Sequence, residues 1–170
     1  MRKLNILKAV LDLFWFFSII GVLSIVVFLP FYLWNSDIDI PIKIKGQEIV
    51  SKTIFSKTIV FANVVSGILF VYSIYLLRKA VGLFQKREIF NDEVVRLFNL
   101  IGQLIIASSL ISHLSLLIYN VVEKNHISFS LDLGSYDSFL ISVSLGLFFM
   151  VISVIFKIAK NIKEENELTI

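Results

Sequence analysis

The sequence predicts an all-α integral membrane protein of four transmembrane helices with a small extracytoplasmic β cap. Three observations carry that prediction. Hydrophobic residues make up 57% of the 170-residue chain, and the mean hydropathy is +0.87. Charged residues make up only 17%, against roughly 25% in soluble domains. Those charges also avoid four windows completely: Leu13 to Ser36, Thr58 to Leu77, Leu97 to Val122 and Ser138 to Phe156. The windows are 19 to 26 residues long, and about 20 apolar helical residues cross a bilayer. This pattern excludes a soluble enzyme, a domain that binds nucleic acid directly and a disulfide-stapled secreted domain; the chain has no Cys.

The first span follows a basic segment with Arg2, Lys3 and Lys8, the layout of a secretory signal. Its apolar run closes on Phe-Leu-Pro-Phe-Tyr-Leu-Trp with no small-residue cleavage site behind it, so it is expected to stay as an anchor. In the next connection Ile38, Ile40, Ile42 and Ile44 alternate with polar residues and Pro41, then Gly46 marks a turn before a second β-branched run. The connection after the third span repeats the style with Ile127, Phe129, Leu131 and Leu133. An isolated hairpin is marginal in water, which predicts a third strand completing a cap, with Pro41 at an edge or bulge. Between the second and third spans, Asn91 is placed to cap a helix whose first turn carries Asp92 and Glu93, where the helix dipole favours negative charge. The last span continues through Lys157, Lys160 and Lys163 into an acidic tail.

Four spans put both termini on one side, and the Lys and Arg distribution selects the side. The N-terminal segment, the second connection (Arg78, Lys79, Lys86, Arg87, Arg96) and the tail hold eleven of the 16 cations. Lys43, Lys45, Lys52, Lys57 and Lys124 lie on the other side. Cytoplasmic termini follow. The net charge of +3 therefore reflects topology and contact with membrane lipids.

No glycine-rich phosphate loop is present, and His113 and His126 lie on different segments, so no cofactor or metal is expected and the chain is read as non-enzymatic. Ser138, Ser142 and Gly146, like Ser108, Ser112 and Ser115, recur at helical spacing and read as packing seams. His113 sits about 24 Å above Leu97 at 1.5 Å per residue. Asn63 reaches a similar depth, and Ser66 and Ser142 fall toward the same end. Together they are candidates for an outward polar pocket for a small ligand. The plainer reading, a neutral imidazole bonded to a neighbouring hydroxyl or carbonyl, is preferred for His113. Gln103 reads as an interhelical hydrogen-bond partner. No charged residue or broken helix interrupts the spans, unlike a conventional secondary transporter.

Leu77-Arg78-Lys79, then Ile89-Phe90-Asn91, Arg96-Leu97 and Ile101-Gly102, with the ending Glu164-Glu165-Asn166-Glu167-Leu168-Thr169-Ile170, resemble the bacterial membrane proteins grouped as domain of unknown function 2975. The resemblance spans essentially the whole chain. It implies a four-helix protein of the bacterial inner membrane, often encoded beside a small cytoplasmic helix-turn-helix regulator. On that expectation, Arg78, Phe90, Asn91, Arg96, Glu165, Asn166, Leu168 and Ile170 form a cytoplasmic platform for such a partner. Phe90 and the tail could instead pack on each other to close the bundle. A homo-oligomer is compatible with either arrangement.

Overall fold

The computed structural model describes residues 2–34, 42–49, 53–123 and 139–168. Their order is α1 (Arg2–Trp34), β1 (Ile42–Ile44), β2 (Gln47–Ile49), α2 (Ile54–Gln85), α3 (Asp92–Glu123) and α4 (Phe139–Leu168). All four helices are long and apolar enough to cross a membrane. α2 and α3 overrun their charge-free windows at both ends because the backbone ladder stops where capping chemistry stops it, and that need not be where apolar residues end. Thr53 begins α2, its Oγ1 accepting the Ser56 N–H at 3.1 Å. At the far end of α2, Arg87 N–H donates to Phe84 O and Glu88 N–H to Leu83 O, both at 3.1 Å. That is a Schellman cap with Arg87, at φ +64°, in the left-handed position usually held by glycine. Asn91 starts α3 as expected, its Oδ1 accepting the Glu93 N–H at 3.2 Å, with Asp92 and Glu93 in the first turn.

Of the expected cap, the described residues contain one antiparallel hairpin, with Ile42 paired to Ile49 and Ile44 to Gln47. Its two-residue loop, Lys45 at φ +49° and Gly46 at φ +77°, has both residues left-handed as the twist of a tight hairpin requires. Ile42, Ile44 and Ile49 cover a cluster of Tyr32, Ile59, Val60, Leu116 and Tyr119. Pro41 and the strand expected over 127–133 lie outside the described residues. This end of the molecule is called the hairpin end; both described termini lie at the opposite, turn end, beside the α2–α3 connection.

Packing follows chain order: α1 lies on α2, α2 on α3 and α3 on α4. The α2–α3 seam is apolar near the turn, where Leu76, Ala80 and Leu83 meet Val94, Leu97, Phe98, Ile101 and Ile105. Phe84, Phe98 and Phe156 join there, with ring centroids 5.3 to 5.8 Å apart, tying α4 to both neighbours. Along the α3–α4 seam the backbones touch. A Cβ on Gly146 would lie 2.5 Å from Ile106 Cγ1 and 2.8 Å from Gly102 O, while one on Gly102 would run into Gly146 O and Met150. Ser153 Oγ donates to Val95 O at 2.7 Å further along the same face.

Gly146→Ala must therefore push α4 off α3 and is expected to destabilise the protein by about 1–3 kcal/mol. Gly67→Ala, on an open face of α2 with nothing within 4 Å, should be neutral or slightly stabilising. Thermal unfolding in detergent compares the two; equal midpoints would remove the backbone contact from the account.

Candidate functional site

At the turn end α1 is held to α2 by a polar seam. Asn5, Lys8, Asp12 and Trp15, spaced by three or four residues, line one face of α1. Lys8 Nζ donates to Gln85 Oε1 at 2.9 Å, and Gln85 Nε2 donates to Asn5 Oδ1 at 3.0 Å. Arg78 Nε pairs with the Asp12 carboxylate, and Trp15 packs on Tyr75 with centroids 5.1 Å apart. Arg78, a candidate partner contact in the sequence, is thus engaged within the chain. Asp12 was not anticipated; the signal for it was its place on the face of Lys8 and Asn5, at the threshold of the first span.

Beside this seam lies an open groove of about 420 Å³ between the α2–α3 turn and the end of α4. Arg87, Glu88, Phe90, Asn91 and Asp92 form one wall, and Lys160, Lys163 and Glu164 the other. Phe90 stays 44% exposed, with Lys163 Nζ 5.8 Å from its ring centre. Lys160 Nζ bridges Asp92 at 2.6 Å and Glu164 at 3.3 Å, and Lys79 meets Glu93 at 2.7 Å. The hydrogen bond and charge of Lys160 hold the Asp92 carboxyl below the usual carboxylate range. The Lys160 ammonium is raised, chiefly by its bond to Asp92, and Lys79 is raised by Glu93. Arg96 is exposed on α3, and Glu165, Asn166 and Leu168 are exposed on the last turns of α4, Leu168 at 87%. Ile170 lies outside the described residues. The structure therefore gathers Phe90 and Asn91 with Lys160, Lys163 and Glu164, whereas Arg78 sits across the α1–α2 seam and Leu168 projects beyond the groove.

Toward the hairpin end the α2–α3 seam turns polar. Asn63 Nδ2 donates to Ser115 Oγ at 2.7 Å and to Ile59 O at 3.0 Å, while its Oδ1 accepts from Ser112 Oγ at 3.0 Å. Ser66 Oγ donates to Ser108 O at 2.7 Å, and Ser108 Oγ returns a bond to Ser66 O at 2.9 Å. Asn63 and Ser66 are thus taken up by helix pairing. His113 lies on a different face of α3: its Nδ1–H donates to Ser109 O at 2.9 Å, and its ring meets Phe139 of α4 edge-on at 5.2 Å. That bond leaves Nε2 as acceptor for Lys45 Nζ of the hairpin loop, 3.3 Å away. Ser142 is half-buried on α4. Of the four pocket candidates, Asn63 and Ser66 are thus paired within the α2–α3 seam, while His113 faces α4 and the hairpin.

The Asp92–Lys160 pair sets a pH dependence. Because the Asp92 carboxyl is depressed in the folded state, its contribution is present at neutral pH and is lost as the pH falls through that lowered value. The stability difference between the parent and Asp92→Asn should accordingly close in acid. Detergent melting curves from pH 7 to pH 3 would show it, and a gap that persists unchanged at pH 3 would assign the effect to packing.

No curated protein and no solved structure is significantly similar to the chain. A family model described as a protein of unknown function, DUF2975, matches residues 7–170. That match takes in most of α1, the whole of α2, α3 and α4, the Asn91-capped turn and the Gly102–Gly146 contact, so the chain belongs to the DUF2975 family of proteins of unknown function.

Proposed function

We propose that this chain is a non-enzymatic, multi-pass protein of the bacterial inner membrane, with both termini in the cytoplasm, and that its turn end holds a small helix-turn-helix DNA-binding regulator. The observation that carries this reading is the groove beside Phe90. A large apolar ring is left half in solvent and surrounded by charges of both signs, the composition of a protein contact with an apolar anchor and a polar rim. The excess of Lys and Arg at the turn end supports placing that end in the cytoplasm. The mixed charges suit recognition of a folded protein, since a purely basic patch would serve lipid or nucleic acid equally well. The family resemblance supplies the class of partner.

A second reading, a small-ligand or solute site toward the hairpin end, draws on one observation. Ser109 Oγ is buried without a hydrogen-bond partner among the described residues, one turn before His113. The reading is weakened by the closed bonding of Asn63 and Ser66, which takes two of its four candidate residues out of any pocket.

Orientation can be read from single cysteines, because the parent has none. Lys43→Cys on the exposed hairpin strand should react with an impermeant maleimide in intact cells, and Lys86→Cys only after permeabilisation. The reverse pattern would overturn the cytoplasmic placement of the groove.

The partner reading is tested by crosslinking in native membranes. Phe90→Ala, Arg96→Ala and Leu168→Ala should each lose a co-purifying DNA-binding protein and change expression of its target genes, while His113→Ala leaves both intact. A truncation after Lys163 should behave like Leu168→Ala yet melt within about 0.5 kcal/mol of the parent, because the described residues it removes, 164–168, are exposed. Loss of several degrees of stability with normal gene expression would make the tail a structural element.

A further inference from the structure

Several polar side chains in the described helix seams of this protein are paired across them, as Asn63 is with Ser112 and Ser115 and Lys8 with Gln85. One face of α3 departs from that pattern. Ser108, Ser112, Ser115 and Tyr119 are buried toward α2, and Gly102 and Ile106 meet α4. The remaining face carries Gln103, Leu110 and Leu114, all exposed, with Ala107 half-buried among them. Gln103 makes no hydrogen bond among the described residues, and neither does Asn99 one turn before it.

Gln103 lies about 9 Å into the charge-free window that opens at Leu97, taking 1.5 Å per residue. Lys and Arg can snorkel to the headgroups from such a depth by their long stems; the shorter glutamine side chain cannot. A primary amide left facing hydrocarbon retains two unmet donors and an unmet acceptor, which lipid tails have no means to satisfy. The occupant of this face must therefore bring both a donor and an acceptor to one depth. An amide is its own complement in that respect. Copies of one chain insert in the same orientation, so a two-fold axis along the membrane normal sets each residue against itself, Gln103 against Gln103. Ala107, one turn on, keeps the helices close at that point, and Leu110 and Leu114 continue the stripe at the three- and four-residue spacing of a parallel helix pair.

We propose that the protein is a parallel homodimer in the membrane, joined along the Gln103–Leu114 face of α3 by an amide pair between the two Gln103 side chains. The dimer axis lies away from the groove beside Phe90, so the inference stands independently of the regulatory reading and would place two such grooves on one assembly.

The test uses the full chain in native-like membranes, exploiting its lack of cysteine. Ala107→Cys and Leu110→Cys, which keep Gln103, should form disulfide-linked dimers on mild oxidation, whereas Val26→Cys on α1 and Leu145→Cys on α4, both on lipid-exposed faces, should not. Gln103→Leu should lower the dimer fraction at least tenfold at fixed protein-to-lipid ratio, and Gln103→Asn, which retains an amide, should restore most of it. Monomer mass for the parent across concentrations, crosslinking at the α1 or α4 positions instead, or a heterologous protein captured at Leu110 would each overturn the proposal. An unchanged dimer in Gln103→Leu would do the same, since that variant removes only the polar group and leaves the apolar stripe intact.

Discussion

The backbone contact between Gly102 and Gly146 fixes the position of α4, and with it much of the turn end. In lipid there is no hydrophobic force to bring two apolar helices together, so association rests on close packing and hydrogen bonds. Two glycines facing each other remove the side chains that would otherwise hold α3 and α4 apart. Once that register is set, Ser153 reaches Val95 O, Phe156 reaches Phe84 and Phe98, and Lys160 arrives beside Asp92. The groove beside Phe90 is thus a downstream product of a contact made well inside the bundle.

The two ends of the molecule solve different problems with similar residues. Near the hairpin, Asn63, Ser66, Ser108, Ser112 and Ser115 bond one another and close the α2–α3 seam. Near the turn, charged groups pair at the surface: Lys160 is shared between Asp92 and Glu164, Lys79 takes Glu93, and an aromatic ring stays open to solvent. Exposed pairs of that kind contribute little to stability and can exchange partners. The polar seam near the hairpin has no such freedom, because its alternatives are lipid tails.

Features governed by local chemistry were legible in the sequence. The charge-free spans, the Asn91 cap with its acidic first turn and the tight turn at Gly46 each depend on a few neighbouring residues. The spacing of Ser108, Ser112 and Ser115 identified a seam, but its partner could not be read from one helix alone. The pocket grouping of Asn63 with His113 rested on equal depth, and depth is only one coordinate. Ser112 and His113 are adjacent in sequence, yet one residue turns an α-helix by about 100°. Ser112 therefore bonds Asn63 across α2, while His113 faces Phe139 and the hairpin. The same limit hid the Asp12–Arg78 pair, which joins residues 66 positions apart.

The bonding of Asn63 also bears on how the chain enters the bilayer. Alone, α2 would present a side-chain amide and the Ser66 hydroxyl to hydrocarbon, and α3 would present three serine hydroxyls. Paired, they satisfy one another. The connection between them, residues 86–91, is short and closed at both ends by caps. The two helices are thereby suited to leave the translocation machinery as a preassembled hairpin, with α1 already anchored and α4 added against the glycine face. Biogenesis would then proceed by pairs, and a lesion at Asn63 would be felt during synthesis, before the finished protein could report it as lost stability.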